Sequence, residues 1–135
     1  MSVSAQAESS AHYLLDTSAV LAYLLNESQA GQVERLRRAG MLPFITPCEL
    51  YAAIWRRFGQ AKADEVIATL RQWQLALIWP TEEILLLAGR WRAVHQLGLA
   101  DSLIAALAYA HHMTLVTKDR DFLALQPDLT ILLLS

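Results

Sequence analysis

"LADSLIAALAYAHHMTLVTKDRDF", residues 99–122, reads as a helix, a turn, a strand and an acidic loop. Asp101 opens the apolar helix Asp101–His111. Asp119 and Asp121 follow the apolar strand Thr114–Thr117. Acids placed where such elements meet have two explanations. They are helix caps and turn residues, or they converge on something positive. The rest of the chain weighs one against the other.

Upstream, the same alternation recurs. His12–Leu15 suits a buried strand that ends at Asp16, and Ser18 can cap a helix over Ala19–Leu25. Ser28 can start a helix that ends near Arg38, with Gly40 as its stop. Leu42–Ile45 is a second strand candidate. "TPCE" (46–49) then places Thr46 at a cap, Pro47 at the first helical position and Glu49 at the capping-box position. That helix should run to Phe58 and stop at Gly59. Further helices are expected over Ala61–Trp73 and from Thr81 to His95, with strands at Leu75–Trp79 and Leu129–Leu134. Strands alternating with helices predict a parallel sheet covered on both faces. Ligands of such sheets bind beyond the carboxyl ends of the strands. Asp16 and Asp119 follow strands directly, and Glu49 and Asp101 sit in first turns of helices. All four therefore point to one sheet edge.

Composition bounds the function. A chain of 135 residues suits one domain, and its 55% apolar content supplies a full core. Residues 1–11 read as a polar tail and 12–135 as the domain. The net charge of −2 argues against capture of nucleic acid by a global positive field, though not against a local basic patch. The single cysteine, Cys48, excludes an intrachain disulfide framework and is expected to pack as a small apolar residue. The N-terminus lacks the basic start and apolar run of a signal peptide, and no run approaches the roughly 20 residues of a membrane span. A soluble cytoplasmic protein is expected, with no membrane partner.

Each acid taken singly has a structural reading. Asp101 can favour its helix dipole, Glu49 can close a capping box, and Asp16, Asp119 and Asp121 can shape turns. Taken together, that reading needs four acids at one edge by coincidence. Gathered carboxylates raise one another's pKa, and a bound divalent cation removes the penalty. Carboxylate-only ligation favours Mg²⁺ or Mn²⁺, the equipment of metal-assisted phosphodiester hydrolysis.

"YLLDTSAVLAYLLNE" (13–27), "ITPCELYAAIWRR" (45–57) and the 99–122 stretch resemble, in order, the three acidic blocks of PIN-domain ribonucleases. The likeness is greatest to the VapC-type toxins of bacterial toxin–antitoxin pairs. The resemblance implies a three-layer α/β/α sandwich with a mainly parallel sheet, Mg²⁺- or Mn²⁺-dependent RNA cleavage, a homodimer and an inhibitory antitoxin. It implies Asp16, Glu49, Asp101 and Asp119 as the catalytic quartet, and Asp16, Asp101, Asp119 and Asp121 as the metal-holding acids. Ser18 and Thr117 match the supporting hydroxyl positions.

Other residues get milder readings. Ala52, Ala53 and Arg56 share a helix face with Glu49, where Arg56 could pair with a phosphate or simply be solvated. His111 and His112 suit a helix C-terminus. The four Trp suit core or interface positions. A receiver domain would want an acid pair after the first strand, and a haloacid-dehalogenase-like phosphatase an acid where Ser18 stands. The serious alternative is a non-catalytic PIN-like module that only binds a partner. Few clear base-reading groups point to a particular RNA loop or short single-stranded site as target.

Overall fold

Alternation of strand and helix is what the chain adopts. In the computed structural model, which describes residues 13–135, the strands are β1 (Tyr13–Leu15), β2 (Gly40–Pro43), β3 (Leu77–Ile78), β4 (Thr114–Thr117) and β5 (Ile131–Leu133). The helices are α1 (Thr17–Leu24), α2 (Ala30–Leu36), α3 (Thr46–Phe58), α4 (Gln60–Gln72), α5 (Glu82–His95) and α6 (Leu99–Ala110). The polar tail and His12, expected to begin the first strand, lie outside the described residues.

The strands pair in parallel in the order β3-β2-β1-β4-β5. The chain steps outward from β1 to β2 and β3, then crosses to the other side of β1 for β4 and β5. The order therefore reverses between β1 and β4, where open parallel sheets hold their ligands.

Period-two alternation splits the core into two layers. Leu14 and Leu115 pack with α5 and α6, whereas their chain neighbours Leu15 and Val116 pack with α1, α3 and α4. Both sheet faces are covered, as the runs "YLL" and "TLVT" require, and the three-layer sandwich expected from the sequence is what forms. Helix α6 contributes the most continuous apolar surface, with Ile104–Ala108 buried without interruption.

Boundaries shift where two local signals compete. Gly40 was expected to stop a helix; it opens β2, and a short 3-10 turn, Arg37–Ala39, ends the helix instead. Leu75–Trp79 narrows to Leu77–Ile78. Ser18 was expected to cap α1. The cap is Asp16, whose side chain accepts from the Ala19 backbone N–H, and Ser18 lies inside the helix. Thr81 caps α5 as read, accepting from the Ile84 N–H. Cys48 is exposed rather than packed, because it falls on the outer side of the first turn of α3.

The capping box at "TPCE" does not form. Ile45 occupies the cap position and Thr46 is the first helical residue, fully buried, with its hydroxyl unpartnered among the described residues. Burial of an unpaired hydroxyl is unfavourable. Thr46→Val should therefore stabilise the fold by about 1 kcal/mol, read as a higher urea midpoint at unchanged slope. A lower midpoint would mean that the hydroxyl is bonded in solution.

Candidate active site

The turn from β1 into α1 carries "DTS" (16–18), and its three side chains organise the sheet edge at the β1/β4 switch point. Asp16 is only 4% exposed. Its backbone N–H donates to the Val116 carbonyl, which ties the turn to β4. Its Oδ1 accepts from the Ser18 hydroxyl at 2.6 Å and from the Ala19 N–H at 3.0 Å. Its Oδ2 accepts from the Thr117 hydroxyl at 2.6 Å. Burial pushes the Asp16 carboxyl above its ordinary range. The hydrogen bonds from Ser18, Thr117 and Ala19 pull it back, and the Asp119 charge pushes it up again.

The end of β4 is held by the same hydroxyls. The Lys118 N–H donates to Ser18 Oγ at 2.9 Å, and the Asp119 N–H donates to Thr117 Oγ1 at 2.9 Å. Asp119 Oδ1 in turn accepts from the Asp121 N–H at 2.8 Å, so that Asp119 starts a 3-10 turn over Arg120–Leu125. Asp121 is exposed at the rim. Ser18 and Thr117 thus tie two acid-bearing loops together. The Lys118 ammonium pairs with Glu27 at 2.6 Å.

Glu49 arrives from the neighbouring strand–helix unit. With no capping box to close, its Oε1 accepts from the Thr17 hydroxyl at 2.5 Å. Asp101 sits in the first turn of α6, whose cap is Gly98, so Asp101 is not the cap of its helix. Its carboxyl is pushed up to about 6. Burial is the largest cause, followed by repulsion from Asp119, Asp16, Glu49 and Asp121 in that order. Asp101 therefore feels every other acid of the expected set.

Like charges in close company match the donor chemistry of a hard divalent cation. The acids remain a loose group. Among the described residues, no three His, Cys, Asp or Glu side chains close into a ready-made ligand set. Arg56 is exposed in the last turn of α3, seven residues and so about 10 Å along the axis from Glu49. His111 and His112 are exposed just beyond α6, at the other end of the helix from Asp101.

A cavity of about 500 Å³ lies between α3 and α4, lined by Pro47, Cys48, Tyr51, Asp64, Ile67 and Arg71. An adjoining one of about 370 Å³ extends it over Leu42, Leu70, Leu75 and Leu77. No member of the acidic set lines either.

The sequence did not reveal Thr17. Its partner is 32 positions away, and no local pattern links a helix-opening threonine to a distant glutamate. The local sequence points to Ser18 for the cap role that Asp16 takes, although an Asp three residues before a helical N–H is an ordinary cap signal.

Comparison with known proteins agrees with this fold. The structure resembles VapBC2 from Rickettsia felis bound to a promoter DNA fragment, with a TM-score of 0.73 and 20% identity over 91% of this chain and 98% of that one. It resembles VapBC-1 from nontypeable Haemophilus influenzae, with a TM-score of 0.69 and 24% identity over 90% and 96%. It also resembles the sarcin–ricin-loop-cleaving toxin VapC20 of Mycobacterium tuberculosis, with a TM-score of 0.69 and 19% identity over 84% and 95%. At these identities the likeness establishes the fold. No curated protein matches the sequence significantly. The PIN-domain profile, however, matches residues 13–126, nearly the whole described chain. The chain belongs to the PIN-domain family.

Proposed function

We propose that the chain is an endoribonuclease that hydrolyses RNA phosphodiester bonds with Mg²⁺ or Mn²⁺, and that it is the toxin of a toxin–antitoxin pair. One observation carries the reading: four carboxylates from three other parts of the chain act together on Asp101 at the β1/β4 switch point. A capping or turn role gives no reason for that convergence.

Asp16, Asp101 and Asp119, with Asp121 at the rim, would hold the cation, and Glu49 completes the catalytic quartet. When bound, the cation lowers the pKa of a water and neutralises charge on the phosphate. The protein's own part is orientation. Ser18, Thr117 and the Ala19 N–H fix Asp16, and the Asp121 N–H fixes Asp119, so these acids do not swing apart under mutual repulsion. Arg56 remains a candidate phosphate contact further along α3.

An antitoxin is the proposed partner, as in the VapBC complexes the fold resembles. Pro47 and Cys48, which immediately precede Glu49, line the groove between α3 and α4. A segment lying there could send an arginine into the acids. A second copy of the chain is the proposed partner for the opposite layer, where Leu85, Leu86 and Val94 of α5 and Leu99 of α6 are 46%, 69%, 68% and 59% exposed. Leu86→Glu should shift the protein from dimer to monomer in sedimentation, and an unchanged dimer would place the interface elsewhere. Among the described residues no helix is long and apolar enough to cross a membrane, and the proposed site of action is the cytoplasm.

The test of the activity is direct. Purified, antitoxin-free protein is incubated with total bacterial RNA and Mg²⁺ or Mn²⁺, and the cut ends are mapped. Discrete ends that vanish with chelator support the reading. Intact RNA at every metal, with a bound partner protein, would favour the non-catalytic module.

A further inference from the structure

Glu49 is the acid of the edge whose position the sequence least explains. It is a long side chain, and its charge and that of Asp101 repel one another. Its local alternative, the capping box, is not formed: Ile45 is the cap, and the Thr46 hydroxyl is buried without a partner among the described residues. Its orientation is therefore not a by-product of ending a helix. The contact that holds it is the Thr17 hydroxyl at 2.5 Å, in the range of a charge-assisted O–H···O⁻ bond.

We propose that Thr17 is a positioning residue for Glu49, holding its carboxylate within the acidic cluster against the repulsion of Asp101. The inference rests on the reading of the edge as a metal-dependent nuclease site. Thr17 is well suited to the task. It is the first residue of α1, anchored on one side by the buried Asp16 cap. As a β-branched residue it has few rotamers, so its hydroxyl is aimed rather than free to wander. It is half-buried, which strengthens the bond relative to one in water.

The "DTS" turn thereby divides its work. Asp16 enters the cluster directly. Ser18 bonds Asp16 and receives the Lys118 N–H, which ties in the β4 side. Thr17 reaches the other way, to the first turn of α3 and Glu49. Three consecutive side chains thus hold two acids, Asp16 and Glu49, and the backbone that follows β4. The Thr17 bond uses Oε1 as acceptor and leaves Oε2 of Glu49 for the site, since no described residue donates to it.

The experiment compares the parent with Thr17→Val, which keeps the shape and removes the donor, and Thr17→Ser, which keeps the donor. Three readouts are taken: thermal unfolding without metal, Mn²⁺ binding alone by calorimetry, and kcat and KM on a defined RNA. Thr17→Val should fold with a Tm close to that of the parent and bind Mn²⁺ about tenfold more weakly, because Glu49 would no longer hold its charge beside the acids that would ligate the cation. Its kcat should fall while KM stays near the parent's, and Thr17→Ser should recover most of both losses. If the valine variant melts early, Thr17→Ala replaces it with the same expectation. Parent-like Mn²⁺ binding and kcat in the folded variants lacking the donor would overturn the proposal while the nuclease reading stands. A serine variant as impaired as the valine variant would also overturn it, because the methyl group rather than the hydroxyl would then matter. A parent that neither binds Mn²⁺ nor cuts RNA would remove the nuclease reading, and this proposal with it.

Discussion

Asp101→Asn is expected to remain folded and to lose the proposed RNA cleavage by roughly 1000-fold or more, the scale on which a major electrostatic element of a site acts. The substitution keeps size and shape and deletes the charge that four other carboxylates press upon. It does not touch a cap, because Gly98 is the cap of α6. Stability should move in the opposite direction to activity. The folded-state pKa of Asp101 is raised to about 6, above its unfolded value. Between roughly pH 4 and 6 the native state therefore holds the proton more tightly than the unfolded chain, and the parent loses stability as pH rises through this window. The variant does not titrate there. Its advantage over the parent should be absent near pH 4, grow up to about pH 6 and stay constant above, at about 1 kcal/mol once solvent screening is allowed for. Added Mn²⁺ should reverse the order by stabilising the parent, and less so below pH 6, where protons compete for Asp101. Thermal unfolding at several pH values, with and without Mn²⁺, and single-turnover cleavage check both halves. A folded Asp101→Asn protein with full metal-dependent activity would falsify the assignment.

Asp16→Ala should be costly to the fold as well as to activity. Alanine removes the cap of α1, worth about 1 kcal/mol. It also leaves the Thr117 hydroxyl, which is fully buried, and the Ser18 hydroxyl without their shared acceptor, at about 1–3 kcal/mol. The expected total is a loss of about 2–4 kcal/mol. Asp16→Asn separates the two roles. Its carbonyl can still accept from the Ala19 N–H and the Ser18 hydroxyl, and its amide can donate to Thr117 Oγ1. It should recover most of the stability and none of the cleavage. Denaturant unfolding of the three proteins, paired with cleavage assays, reads this out. An alanine variant as stable as the parent would show that the hydroxyls repair themselves with solvent.

The sequence by itself determined the order of strands and helices, the parallel sheet with both faces covered, and the side of that sheet on which the acids lie. These follow from signals within a few residues of one another: apolar runs such as "TLVT", the apolar helix after Asp101, the Thr81 cap, and acids directly after strands. Hydrophobic periodicity and strand polarity are local properties and survive into the fold. Where two local signals competed, only packing chose. Gly40 could stop a helix or open a strand, and pairing of Gly40 with Tyr13 made it a strand. Thr46 could cap α3, and burial of its side chain excluded that. The internal order of the site was likewise a tertiary matter. Ser18 meets the Lys118 N–H across 100 positions, Thr117 meets Asp16 across 101, and Thr17 meets Glu49 across 32. Such bonds depend on strand order and on the approach of two helices, which no neighbouring residue encodes. The sequence put the acids at strand ends and helix starts, and the pairing of β1 with β4 brought Asp16 within reach of the Asp119 charge.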